Sequence, residues 1–269
     1  MVELFEGDER RFERQSSKGN QLKWENEGVW YKADATGYEG LAESVVSHLL
    51  KFSSLNENEY VLYEPEEIKY KTTIYNGARS NNFLKKGWQI ITLERLFKNF
   101  YNESLYKSIY KINDVIERLK FLTEQVIRIT GLKDFGIYIS KMLTIDAFFL
   151  NEDRHTHNIA VLMNGNGEFD YCPLFDQGAS LLSDTHFDYP SGGDVYLMME
   201  ESKAKTVCRS YREQLDAAEE LYEYNLKFMF SMKDVQNILK GITIYPEAEK
   251  RRVENIIGIQ MQRYKYLFG

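Results

Sequence analysis

Residues 151 to 176 read NEDRHTHNIAVLMNGNGEFDYCPLFD, and this stretch decides the fold. It opens with a polar loop that carries Asp153 and Asn158. The run Ile159-Ala160-Val161-Leu162-Met163 is apolar and tolerant of extended backbone, and Asn164-Gly165-Asn166-Gly167 is a strong turn signal. Glu168 to Leu174 then runs back as the second strand of an antiparallel hairpin. A hairpin returns the chain to where it started, so the spacing predicts Asp176 beside Asn158 despite the residues between them. Asp153, Asn158 and Asp176, three side chains with oxygen donors for a hard cation, are thereby expected together.

That set suits phosphoryl transfer, which needs a carboxylate to orient and deprotonate the attacking hydroxyl and oxygen ligands to hold Mg²⁺ against nucleotide phosphates. Asp-x-x-x-x-Asn followed by a later Asp supplies both, with Asp153 as the base and Asn158 and Asp176 as metal ligands. Two other readings compete with this one. An ordinary surface hairpin, whose Asp, Asn and Gly residues only make turns, accounts for any one of these residues but not for their combination. His155-x-His157 has the spacing for two imidazoles to share a divalent ion on a strand. The chain has only four histidines, however, and His48 and His186 have no acidic-histidine cluster around them to complete a hydrolase site. Asp134-Phe135-Gly136 spells a kinase metal-binding tripeptide but precedes the catalytic loop, so an N-cap aspartate followed by a core phenylalanine is its better reading.

Composition bounds the remaining choices. The chain has 269 residues, 43% hydrophobic and 14% aromatic, which places it among globular proteins with room for a sizeable core. Its net charge of -7 gives no general basic footprint, so direct nucleic-acid binding is not expected. The two cysteines, Cys172 and Cys208, show no paired spacing and read as buried free thiols in a reducing compartment. No apolar run has membrane-spanning length, and the opening MVELFEGDERRFER is too charged for a signal peptide. A cytoplasmic protein is expected, with a translocated effector as the alternative.

Around the decisive stretch, the pattern divides near Phe83. Gln21 to Trp24 and Val29 to Ala33 read as strands joined by a turn at Glu25-Asn26-Glu27-Gly28. Leu41, Val45, Val46, Leu49 and Leu50 stripe a helix from Tyr38 to Leu50, and Val61 to Tyr63 and Ile68 to Tyr75 suggest two more strands. The polar run Asn76 to Asn82 reads as the breaker and hinge after them. From Thr92 the period turns helical, with Ile109, Ile112, Ile116, Leu119 and Leu122 on one face. Asp134 is placed to cap the next helix, whose apolar face from Phe135 to Phe149 delivers Asn151 to the loop. Gln177 to Tyr196 reads as irregular, while Tyr211 to Phe230 and Glu247 to Phe268 read as mostly helical.

The first part supplies candidate nucleotide contacts. Lys32 lies on the second strand of the first hairpin, where a cation for the phosphates is wanted, and Glu43 shares the inward helix face with Val46, Ser47 and Leu50 as its counter-ion. The bland readings are a solvated strand lysine and a solvated helix carboxylate. Ser16, Ser17, Lys18 and Gly19 lie in a small polar loop whose backbone N–H groups are suited to cover the β- and γ-phosphates. An ordinary flexible loop is the competing reading of that segment.

With these residues in place, Asp153-Arg154-His155-Thr156-His157-Asn158 followed by Pro173-Leu174-Phe175-Asp176 resembles the HipA-like serine/threonine kinases and, more distantly, the phosphoinositide-kinase-related group. The resemblance runs in order through the Ser16–Ser17 loop, Lys32, Glu43, Asp153 with Asn158, and Asp176, and is specific at the last three. It implies a two-lobed α+β protein-kinase-like fold, with a small β-rich N-lobe over residues 1–83 and a larger helical C-lobe over residues 84–269. It also implies ATP and Mg²⁺ as cofactors, a protein substrate, an antitoxin or regulatory partner of the toxin-antitoxin kind, and self-phosphorylation of Ser16 or Ser17 that ejects their loop. His155 braces the catalytic loop in this reading. At His157 the chain departs from the pattern, since such kinases commonly carry lysine there and an imidazole is charged only conditionally. That departure favours one alternative, a nucleotide-binding pseudokinase. A small-molecule or lipid kinase with the same site is the other.

Overall fold

The computed structural model describes residues 1–9 and 21–269. Ser16, Ser17, Lys18 and Gly19 therefore lie outside the described residues. The strands, in chain order, are β1 (Val2–Leu4), β2 (Lys23–Asn26), β3 (Val29–Ala33), β4 (Glu64–Tyr70), β5 (Thr73–Asn81), β6 (Trp88–Thr92), β7 (Ala160–Asn164) and β8 (Phe169–Tyr171). The helices begin with α1 (Glu39–Leu50), α2 (Leu93–Tyr101), α3 (Leu105–Ile109), α4 (Val115–Thr130) and α5 (Phe135–Phe149). They continue with α6 (Val195–Glu201), α7 (Tyr211–Tyr222), α8 (Met232–Gly241) and α9 (Glu247–Arg263). Among the described residues no helix is long and apolar enough to cross a membrane.

Packing divides the chain into two compact units. The first comprises Met1–Phe83, Phe175–Ser202 and Phe228–Gly269, and the second Leu84–Leu174 and Lys203–Lys227. The expected boundary at 83/84 follows the polar run Asn76 to Asn82 and the change to helical periodicity from Thr92, with everything from residue 84 onward in one helical part. Packing instead groups two later segments with the first 83 residues.

The first unit is built on a five-stranded sheet in the order β1-β4-β5-β3-β2. β1 pairs with β4 in parallel, and the other pairs are antiparallel. One face of the sheet buries Leu4, Trp24, Tyr31, Ala33, Ile68 and Tyr70, with the Trp24 and Tyr70 rings 5.1 Å apart. Strand side chains alternate between faces, so Lys32, between buried Tyr31 and Ala33, points to the opposite face. Its partner across the β3–β5 ladder is Ala78, which packs with Val61 and Tyr63. α1 is buried at almost every position from Gly40 to Leu50, more completely than a one-sided amphipathic stripe requires.

The second unit joins a three-stranded sheet, β6-β7-β8, to α2, α3, α4, α5 and α7. The expected hairpin is present: β7 pairs with β8 in antiparallel register, Val161 opposite Tyr171 and Met163 opposite Phe169. Gly167 takes the left-handed conformation its turn requires, at φ +79°. α5 buries Phe135, Ile139, Leu143, Phe148 and Phe149 and ends at Leu150 with φ 58°. Both cysteines are buried and free, and burial pushes the Cys172 thiol up to about 12.

Several local expectations fail for identifiable reasons. The polar run Asn76 to Asn82 is not a breaker, because Thr73–Asn81 forms β5 in the middle of the sheet. Gly77 is needed there for backbone contact, since a Cβ would lie 2.0 Å from the Lys32 carbonyl oxygen. Ile68 to Tyr75 is two strand ends around a turn at Lys71, whose φ is 57°, and Val61 to Tyr63 is not a strand. The helix begun at Tyr211 stops at Tyr222, short of Phe230. Asp134 stands at the N-cap of α5 but makes no side-chain capping bond, and its backbone N–H donates to the Tyr171 hydroxyl at 3.0 Å.

Candidate active site

Three sequence-predicted residues meet inside the first unit. Lys32 Nζ lies 2.6 Å from Glu43 Oε1 and 2.7 Å from Asp176 Oδ1. The geometry follows from the elements: β3 turns Lys32 away from the Trp24 core, and α1 carries Glu43 one turn past its tightly packed start. Glu43 is 1% exposed, Lys32 12% and Asp176 26%, so the cluster is dry at one end and open at the other. Burial acts to lower the Lys32 pKa, but Asp176 and Glu43 prevail and hold the ammonium well above the ordinary lysine value. Burial pushes the Glu43 carboxyl up, with Asp176 adding to the effect and Lys32 opposing it. One ammonium facing two carboxyl groups leaves a net negative cluster when all are charged, which favours a further cation near the exposed carboxylate.

Further contacts, which the sequence does not reveal, hold this cluster in place. The Gln177 N–H donates to Glu43 Oε2 at 3.0 Å, and the Asp176 N–H donates to the Tyr63 hydroxyl at 3.4 Å. Lys32 Nζ also sits 5.0 Å from the centre of the Tyr63 ring, a cation–π distance. Asp176 adopts φ 63°, a left-handed conformation uncommon for residues other than glycine. A Cβ on Gly178 would come 3.5 Å from Glu43 Oε1, so Phe175-Asp176-Gln177-Gly178 passes close against α1.

Asp153 and Asn158 meet inside the second unit. Asn158 Nδ2 donates to Asp153 Oδ2 and to the Asp153 carbonyl, both at 2.8 Å. The amide nitrogen is thus committed to the aspartate, and Oδ1 is the atom with which Asn158 would ligate a hard cation. His155 Nε2 lies 3.6 Å from Asp153 Oδ1, beyond a hydrogen bond, and Lys205 Nζ lies 3.9 Å from the same oxygen. His155 Nδ1 accepts from the His157 N–H at 3.2 Å. Burial lowers the His155 pKa more than the Asp153 charge raises it, which disfavours the imidazolium. His157 is exposed, with its ring set edge-on to His155 at 5.5 Å. Among the described residues no group of three or more His, Cys, Asp or Glu side chains is arranged to hold a metal.

The loop is held from beneath by two anchors absent from the sequence reading. Arg154 points inward, its Nε 3.0 Å from Asp146 Oδ2, with side-chain exposures of 2% and 0%. Its Nη1 donates to the Asn158 carbonyl at 3.0 Å, and Asn151 Nδ2 donates to Asp146 Oδ1 at 3.1 Å. At the second anchor, Glu94 accepts from the Thr156 hydroxyl at 2.9 Å and from the Tyr106 N–H at 3.0 Å. Burial acts to raise the Glu94 pKa, but hydrogen bonds from Ser104, Tyr106 and Thr156 hold the carboxyl below its ordinary value. Asp146 stands at a buried position of a nearly all-apolar helix, and that mismatch was the available signal for its role.

No family model and no curated protein matches the sequence. Among solved structures, the chain is similar to a Helicobacter pylori proinflammatory kinase, CtkA, with a TM-score of 0.61 at 14% identity, covering 96% of this chain and 92% of that one. It also aligns with the HipA, HipB and operator DNA complex of Shewanella oneidensis MR-1, with a TM-score of 0.44 at 13% identity, covering 89% of this chain and 59% of that one. The fold is therefore protein-kinase-like and α+β, as the resemblance of the sequence implies. At such low identity the likeness speaks to fold alone.

Proposed function

We propose that this chain is an ATP- and Mg²⁺-dependent HipA-like kinase that transfers the γ-phosphate to a serine or threonine hydroxyl of a protein. The observation that carries the proposal is the Lys32–Glu43–Asp176 cluster. A buried lysine held charged by the partly exposed Asp176 and the buried Glu43 is costly to build and suits a phosphate-and-metal site. Bound Mg·ATP would supply the transferable phosphoryl group and neutralise the charge that develops on its oxygens. The donor types fit: Asp176 and Asn158 each offer a hard oxygen, and Mg²⁺ ordinarily takes few protein ligands and keeps phosphate oxygens and water for the rest. Lys32 would bind phosphate, with Glu43 preserving its charge and direction. Asp153, oriented by Asn158, would accept the proton of the acceptor hydroxyl. The resemblance to kinases with a protein acceptor is what favours serine or threonine over a small alcohol.

Ligand binding raises the melting temperature of a folded protein, so the first test is thermal unfolding with ATP, with and without Mg²⁺. The proposal expects a Mg²⁺-dependent rise that Lys32→Met abolishes. Absence of any rise at millimolar Mg·ATP counts against it.

If Ser16 and Ser17 cover the phosphates, prolonged incubation with Mg·ATP should place a phosphate on one of them. The roughly -1.5 to -2 charge so added would repel the nucleotide. Peptide mapping tests this. A sample that phosphorylates another acceptor while both serines stay unmodified removes the self-inhibition from the proposal.

A further inference from the structure

We propose that Tyr245 is a positioning residue for the Lys32–Glu43 pair, acting through Asp34 and the first turn of α1. The inference rests on the reading of that pair as a phosphate-binding device. Tyr245 lies in the connector between α8 and α9, far from the pair in sequence but within the same unit. It is buried, and its hydroxyl donates to Asp34 Oδ2 at 2.8 Å. The other oxygen of Asp34 accepts from the Gly40 N–H at 2.6 Å, so the carboxylate caps an otherwise unsatisfied donor at the start of α1. Asn76 on β5 completes the junction: its carbonyl accepts from the Asp34 N–H at 2.8 Å, and its Nδ2 donates to the Ile244 carbonyl at 3.0 Å.

This junction is packed at backbone contact. A Cβ on Gly40 would lie 2.4 Å from the Gly77 carbonyl carbon and 2.5 Å from the Tyr245 hydroxyl. A Cβ on Gly77 would lie 2.0 Å from the Lys32 carbonyl oxygen. The start of α1, β5 and β3 thus meet at two glycines beneath one phenol. Asp34 is two residues beyond Lys32, and Gly40 is three residues before Glu43 on one rigid helix. A shift at the Tyr245–Asp34 bond is therefore carried to both partners of the 2.6 Å ion pair. The simpler role, in which Tyr245 only fastens the last helix, predicts lost stability with no effect localised at Lys32.

The two roles separate when stability is matched. Tyr245→Phe removes one hydroxyl, and Ile68→Val in β4 serves as a core variant of similar modest cost. Two quantities are compared well below the melting temperature: the rate of Lys32 acylation, read by mass spectrometry, and the affinity for Mg·ATP, read by calorimetry. Positioning predicts that Tyr245→Phe speeds Lys32 acylation and weakens Mg·ATP binding by about fivefold each, the equivalent of one ordinary hydrogen bond, while Ile68→Val changes neither. Asp34→Asn keeps an acceptor for Gly40 and presents a donor to the phenol oxygen, so it should stay close to the unaltered chain, whereas Asp34→Ala should match Tyr245→Phe. Unchanged Lys32 acylation in a Tyr245→Phe protein that melts at lower temperature overturns the proposal. If the unaltered chain fails to bind Mg·ATP while Tyr245→Phe still speeds acylation, the positioning role stands and the phosphate-binding reading falls.

Discussion

If the proposed function holds, Asp153→Asn should lower phosphoryl transfer by about 10²- to 10⁴-fold, the usual worth of a positioned general base, and should leave Mg·ATP affinity near that of the unaltered chain. The substitution is conservative in shape. Asp153 accepts from Asn158 Nδ2 through one carboxylate oxygen, and the carbonyl oxygen of an asparagine can take that bond. What disappears is the capacity to receive a proton. His155 is not expected to replace it, because its Nδ1 accepts from the His157 N–H and its Nε2, at 3.6 Å, lies outside hydrogen-bond reach of Asp153. Single-turnover transfer measured beside calorimetric ATP binding checks both halves. Near-normal transfer by the variant would remove Asp153 from the proposed role.

The largest effect on stability is expected beneath the same loop. Asp146→Asn leaves the buried Arg154 guanidinium without its carboxylate, and breaking a buried pair from one side costs about 3–5 kcal/mol. Replacing both partners with apolar residues, Asp146→Leu with Arg154→Met, removes the stranded charge and should recover much of that loss. Activity should not return with stability, because Arg154 also donates to the Asn158 carbonyl and so fixes the proposed metal ligand. Urea denaturation of the single and double variants, paired with transfer assays, distinguishes the outcomes. Full activity in a stable double variant would show that Arg154 has no part in shaping the loop.

The hairpin was legible because its signals are local. An apolar run, a double Asn-Gly turn and a return strand specify one another within a few residues, and β7 and β8 pair accordingly. Lys32 and Glu43 were legible as a pair because Lys32 stands where kinases of this resemblance carry a strand lysine and helix periodicity turns Glu43 inward with Val46, Ser47 and Leu50. The contact between Lys32 and Asp176 was not, because no local pattern specifies a bond across 144 positions. Arg154, Glu94 and Thr156 each read alone as ordinary polar residues for the same reason, and of this set only Asp146, an acid within a mostly apolar helix, carries a local signal. β5 was misread because Asn76-Gly77-Ala78-Arg79-Ser80 has the composition of a turn. Its small residues instead allow backbone and helix to approach closely, a constraint visible only once α1 and β3 are in place.

Metal binding by Asp176 in a working phosphotransferase is tested most directly by transfer of label from γ-³²P-ATP. Purified chain, with and without a cell lysate as acceptor source, is incubated with Mg²⁺ or with chelator, and the labelled product is hydrolysed to identify the modified amino acid. The account predicts Mg²⁺-dependent labelling on serine or threonine that Asp176→Asn abolishes, with the variant still folded because a partly exposed carboxylate contributes little to the core. Equal labelling by Asp176→Asn, or no transfer by an unaltered chain under any acceptor condition, would contradict it.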